Sequence, residues 1–156
     1  MRARRDTDAE LERLYREEGA RLWRALVAFS GHREIAADAV AEAFARALAH
    51  PGAIRSPLPW IWRTAFRLAA KELRTRGRIR SQPATGVYEM PEPLGDMLRG
   101  LSRLSPNQRA ALILHDYADR PTKEVAETLG MSAATVRVHL SQGRRRLRAF
   151  LEERDE

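Results

Sequence analysis

Apolar residues recur along this chain at spacings of three and four, and the alternation expected of strands is missing. Leu11, Leu14, Tyr15, Leu22, Leu26 and Phe29 fall on one stripe, which predicts a helix from Asp8 to Ser30. Ser30-Gly31-His32 interrupts it. Ala36, Ala39, Val40, Ala43, Phe44, Ala47 and Leu48 predict a second helix from about Glu34 to Ala49, with Asp38, Glu42 and Arg46 on another row. His50-Pro51-Gly52 ends that helix, because proline cannot continue it and glycine tolerates the turn. A third helix is expected from near Pro59-Trp60 to near Gly77. Ile61, Ala65, Leu68, Ala69 and Leu73 make its inner stripe; Arg63, Arg67, Lys71 and Arg74 stack one above another as a basic row.

The pattern then breaks. Ser81-Gln82-Pro83-Ala84-Thr85-Gly86, followed by Pro91 and Pro93, reads as a linker. The expected architecture is all-α: two small helical domains, 1–80 and 94–156, joined by a flexible linker over 81–93. Each is small enough to have only a marginal core of its own. Leu94, Met97, Leu98, Leu101 and Leu104 open the second domain as a short amphipathic helix. Ser105-Pro106-Asn107-Gln108 is a strong helix start: a capping serine, proline at the first helical position, and glutamine where a capping box needs it. This helix is expected to reach about Tyr117. After the turn at Asp119-Arg120-Pro121, Thr122 is expected to cap a helix ending at Gly130, and Ser132 a final helix reaching about Leu151.

These last two helices have helix-turn-helix spacing. Ala126 is the small residue at the crossing, Gly130 lies in the tight turn, and Val136 faces back from the second helix. Val125, Leu129, Leu140, Leu147 and Phe150 complete the inner faces. Between Arg137 and Arg148 the second helix carries five basic residues and no acid. Arg137, Ser141, Arg144, Arg145 and Arg148 lie on or near its outer face. Such a helix fits the DNA major groove, where arginine bonds guanine bidentately. The free N–H groups at its start, Ser132 to Thr135, suit a phosphate. The bland alternative is a helical hairpin with a solvated basic face.

Composition agrees without deciding. The net charge is +7 and the isoelectric point about 10.8, as expected of a domain that meets phosphate. Nearly all of this charge is arginine, which a GC-rich genome also favours; Lys71 and Lys123 are the only lysines. There is no cysteine, so disulfides, thiolate metal sites and cysteine nucleophiles are excluded. His32, His50, His115 and His139 are scattered, and no metal spacing, nucleophile elbow or phosphate loop occurs. An enzyme, a cofactor, a metal site and a small-molecule substrate are therefore not expected. The N-terminus has no apolar signal core, and no apolar run approaches the roughly 18–20 residues of a membrane span, so a cytoplasmic chain without membrane insertion is expected.

The whole chain resembles the extracytoplasmic-function (ECF) form of the sigma-70 family. Leu104-Ser105-Pro106-Asn107-Gln108-Arg109 looks like the L-(S/P)-x-x-Q-R opening of sigma region four. Lys123 to Gly130 is similar to its "eEIAeilG" helix, and Ser132 to Leu147 to its recognition helix. Ala37 to Phe44 and Trp60 to Arg74 resemble, more weakly, the "AEDlvQevF" and "WLyrIARNxxxDxLR" segments of region two. The departures are Ala41 for the usual Gln, Arg67 for Asn, Lys71 for Asp, Ala134 for Gly, Val138 for Ser, and Gln142-Gly143 for Arg-Ala.

The resemblance implies a subunit that directs core RNA polymerase to promoters and opens them. Asp38 and Glu42 would face the polymerase. Trp60, Trp62, Arg63, Arg67, Lys71 and Arg74 would form the −10 melting surface, with one of the two tryptophans, Trp62 by preference, belonging to the core. The loop from about Pro51 to Pro59 would shape the pocket for a flipped base. Ser132, Thr135, Arg137, Ser141, Arg144, Arg145 and Arg148 would read the −35 element. Partners would be core polymerase, promoter DNA and, where one exists, an anti-sigma factor. Two other readings stay open on residues alone: a stand-alone helix-turn-helix regulator, and a sigma-like decoy in an anti-sigma network.

Overall fold

The computed structural model describes residues 1–79 and 92–156; the linker expected over 81–93 lies, but for its last two positions, outside the described residues. Every regular element among the described residues is a helix. The first half holds α1 (Arg2–Ser30), α2 (Arg33–Ala49) and α3 (Pro57–Ile79). The second holds α4 (Glu92–Ser102), α5 (Pro106–Leu112), α6 (Thr122–Leu129) and α7 (Ala133–Asp155), with α5 continuing as a π-helical turn over Ile113–Tyr117. No described helix is long and apolar enough to cross a membrane.

The first half is a bundle in which α1, α2 and α3 pack pairwise. The predicted stripes supply most of its core: Leu11, Leu22, Leu26 and Phe29 from α1, Ala39, Ala43 and Phe44 from α2, Ile61, Ala65 and Ala69 from α3, while Ile35 joins from outside the predicted stripe of α2 and Leu48, placed on it, is exposed. Two residues refine the reading of α3. Trp62 is 1% exposed and Phe66 2%, and their rings stack at 6.2 Å. Trp62 is therefore the core tryptophan, and Trp60 is partly buried beside it. Tyr15 departs from its stripe. It is 56% exposed and meets Phe44 only edge-on, at 5.2 Å.

In the second half α7 packs along α5, α6 and α4. Gly143 is buried there, and a Cβ on it would lie 3.2 Å from Leu112 Cδ1. A residue that weakens a helix in isolation thus lets α7 approach α5 closely. Arg146 fastens the same seam, donating to Gln108 Oε1 and to the Arg103 carbonyl. The helix starts divide. Ser105 and Gln108 form the full capping box, and Ser132 accepts from the Thr135 N–H. Thr122 does not cap α6: Pro121 occupies the cap position, Thr122 is already helical, and no side-chain cap bond forms.

The halves are in contact. α1 touches α4, α5 and the π turn, and α3 touches α6. Arg109 donates to the Phe29 carbonyl at 3.0 Å, and Arg21 reaches the Tyr117 carbonyl at 2.6 Å and Asp119 at 2.9 Å.

The capping pattern has a measurable consequence. Ser105→Ala and Ser132→Ala should each lower the unfolding free energy by about 1 kcal/mol. Thr122→Ala should change it by less than about 0.5 kcal/mol, as for a surface position with no cap bond to lose. Urea unfolding followed by circular dichroism checks the contrast; equal losses at Thr122 and Ser105 would contradict it.

Candidate nucleic-acid interface

The helix-turn-helix is built by four residues in the places their spacing predicted. Gly130 takes the left-handed conformation (φ 67°, ψ 41°), which an L side chain adopts only with strain. Its N–H and that of Met131 both return to the Ala126 carbonyl, closing the end of α6. Val125 and Val136 are fully buried at the crossing, and Ala126 is nearly so. The tight turn and small crossing residue set α7 across α6, leaving the first turns of α7 projecting.

At the start of α7 Ser132 Oγ takes the Thr135 N–H at 3.1 Å and lies 2.9 Å from Thr135 Oγ1. Arg137 and Val138 follow on the exposed side, as do Ser141, Arg145 and Arg148. Among the described residues the side chains of Arg137, Arg145 and Arg148 form no hydrogen bond or ion pair. Arg144 is different. It grips Asp116 of the π turn with two nitrogens, at 2.6 and 3.0 Å, and His115 Nδ1 lies 2.8 Å from the same carboxylate. The Arg144 guanidinium, with lesser help from His115, holds the Asp116 carboxyl below its usual range, against the opposing effect of burial. Arg144 would have to leave this partner to touch a base. His115, one of the scattered histidines of the sequence, is brought with Asp116 beside Arg144 by the fold, which nothing in the linear order shows.

The row on α3 is also divided. Lys71 and Arg74 point to solvent. Arg63 lies 3.8 Å from Glu127 of α6, and Arg67 donates to the Glu127 and Thr128 carbonyls at 2.6 and 3.2 Å. Trp60 and Arg63 line a cleft of about 510 Å³, with Ile54 and Arg55 of the preceding loop on the same wall and Lys123, Glu124 and Glu127 opposite. Trp62 lies behind, beneath the Arg120 guanidinium at 5.6 Å. On α2, Asp38 and Glu42 are both exposed, and Glu42 pairs with Arg46 at 2.8 Å.

Three side chains that organise this surface, Arg109, Arg120 and Glu127, went unnoticed as such in the sequence. Each acts across the two halves, over separations that periodicity does not carry. No group of acidic, histidine or cysteine residues among the described residues is arranged to hold a metal.

Comparison with known proteins agrees with this geometry. The profile described as Sigma-70, region 4 matches residues 94–147, the segment from α4 into α7. The ECF RNA polymerase sigma factor SigE of Mycolicibacterium smegmatis is 31% identical over 90% of this chain, which spans 61% of that relative's length. The ECF RNA polymerase sigma factor SigL of Mycobacterium tuberculosis is 30% identical over 93% of this chain and 90% of its own length. Two solved structures share the fold. The sigma factor RpoE in complex with the anti-sigma factor NepR from Bartonella quintana has a TM-score of 0.70 at 20% identity, over 90% of this chain and 95% of that one. CnrH in complex with the cytosolic domain of CnrY has a TM-score of 0.74 at 19% identity, over 97% of this chain and 94% of that one. With a capped helix-turn-helix in the matched segment and a relative aligned along nearly its full length, this chain belongs to the ECF RNA polymerase sigma factors.

Proposed function

We propose that the protein directs core RNA polymerase to promoters by dividing the work between its halves. The observation that carries this reading is the outer face of α7, where a capped helix start is followed by Arg137, Arg145 and Arg148, which have no partners among the described residues. Unpaired guanidiniums on a projecting helix can bond base edges and phosphates with no prior bond to break. Ser132, Thr135, Arg137 and Ser141, near the helix start, are assigned to the −35 base pairs and adjacent phosphates. Arg145 and Arg148, further along, are assigned to phosphate. Arg144 joins them only after exchanging Asp116 for DNA.

In the first half, Trp60, Arg63, Arg67, Lys71 and Arg74 form the −10 surface. Strand opening needs cations for phosphates and π faces for unstacked bases, and α3 presents both. Trp62 supports that surface from the core. Asp38 and Glu42, one turn apart on the exposed side of α2, are assigned to core polymerase. On this reading the protein is a binding subunit without catalysis of its own, works in the cytoplasm beside the polymerase, and is open to capture by an anti-sigma factor, as RpoE of Bartonella quintana is bound by NepR.

Two experiments test the assignment. On reconstituted holoenzyme, Arg137→Ala should weaken promoter binding by about 1–3 kcal/mol and relax selectivity at the base pair it reads. Arg148→Ala should weaken all sequences alike and flatten the log–log salt dependence by about 0.9. Unchanged affinity and preference in Arg137→Ala would remove α7 as the reading helix. Separately, Asp38→Arg with Glu42→Arg should reduce capture of core polymerase while the helical circular dichroism stays intact; undiminished capture would exclude this face of α2 as the contact.

A further inference from the structure

The centre of the outer face of α7 is apolar over its first two turns. Val136, Leu140 and Gly143 are buried and define the line along which the helix meets its neighbours. Successive residues of an α-helix turn by about 100°, so Ala134, Val138 and Arg145 point within about 30° of the direction opposite that line. Thr135 and Arg137 fall on its two flanks. Ala134 and Arg145 are exposed, and Val138 is 51% exposed. Two methyl-bearing side chains, one turn apart, therefore hold the middle of the face, with Ser141 beside them and the guanidiniums of Arg137, Arg145 and Arg148 around them. A single exposed valine is ordinary on a protein surface. This one stands where a helix entering the major groove meets base edges. The family pattern has serine at this position, so the resemblance does not imply an apolar contact here.

We infer that Val138 is a specificity-determining residue that selects thymine, through its 5-methyl group, at one base pair of the −35 element. This rests on the proposed function, because it requires α7 to be the reading helix. Every base pair presents donors or acceptors in the major groove, and the one apolar feature there is the thymine methyl. The valine side chain can neither donate nor accept. Pressed against the cytosine amino group or a purine edge, it would strip water from a polar group and return no bond, which is costly. Against the methyl it takes two apolar surfaces out of water together. A β-branched side chain is also stiff on a helix, so Val138 is placed before DNA arrives and loses little freedom on contact. The arginines around it hold phosphates and fix the register in which the methyl is met.

A duplex selected from a degenerate promoter library by the holoenzyme supplies the probe. Each thymine of its −35 half, on either strand, is replaced in turn by deoxyuridine, which lacks only the methyl and keeps every donor and acceptor. Wild-type holoenzyme should lose about fourfold in affinity at one position, which is what burial of one methyl is worth. Val138→Ser should bind the thymine and deoxyuridine forms of that position alike, and Val138→Ile should keep the discrimination. Val138 is half-exposed, so both variants should keep the circular dichroism of the wild type. A −35 half selected without thymine on either strand would overturn the inference. So would deoxyuridine tolerated at every position, or a loss that persists undiminished in Val138→Ser. Arg137→Ala on the same duplex separates this inference from the reading it rests on. A loss there without any response to deoxyuridine removes Val138 alone as a reader, whereas no response to either change removes α7 as the reading helix.

Discussion

Two arginines of the second half lie over two aromatic rings of the first, and the arrangement of the whole molecule depends on that seam. Arg109 is 5.7 Å from the Phe29 ring and Arg120 5.6 Å from the Trp62 ring. The rings are themselves linked through Phe66, which packs 5.3 Å from Phe29 and stacks on Trp62. A guanidinium suits such a place because its flat, weakly hydrated faces stack while its edge still donates. Arg109 does both, donating to the Phe29 carbonyl from a site where burial pulls its guanidinium below its usual basicity. The interface is thus neither a plain apolar contact nor a surface ion pair. It joins the two halves through contacts that include polar groups other partners can compete for.

The helices and the helix-turn-helix were legible because their causes are local. Spacing places Ala126, Gly130 and Val136 in one turn, and Ser105 with Gln108 in one capping box, within reach of a few residues of chain. Thr122 shows where such reasoning stops. Threonine is a good cap in general, but Pro121, whose ring holds φ at −58° while ψ stands at 150°, takes the cap position, so Thr122 enters the helix. The seam was illegible for a different reason. Arg109 and Phe29 are 80 positions apart and Arg67 and Thr128 61, and nothing near either arginine in the sequence points to its distant partner. The candidate sites were visible as rows of residues; their present partners were not.

The two tryptophans of α3 show how a helix resolves such an ambiguity. Residues two apart on an α-helix project roughly 200° from one another, so Trp60 and Trp62 cannot share an environment. Trp62 continues the line of Phe66 and Ala69 into the core. Trp60 is turned toward the cleft with Arg63. Core and proposed −10 surface therefore lie back to back on one helix. Packing beneath Trp62 holds the outer row in place, and disturbing the core would misplace Trp60 and Arg63 without touching either.

The same division runs through the arginines of α7, and it separates structural from available charge. Arg146 is satisfied by Gln108 and a carbonyl, and Arg144 by Asp116; both hold the helix to its neighbours. Arg137, Arg145 and Arg148 carry no such bonds among the described residues. A guanidinium already paired must lose its partner before it binds DNA, leaving a carboxylate or carbonyl to be rehydrated, so its net contribution is small even where its reach is good. An unpaired one exchanges only water and counterions for phosphate or base, and the released counterions favour the exchange. Charge count along α7 therefore overstates what the helix offers to DNA. The residues free of internal bonds among the described residues mark the face proposed for DNA, and they run from the capped start of the helix outward, the direction in which a major groove would receive it.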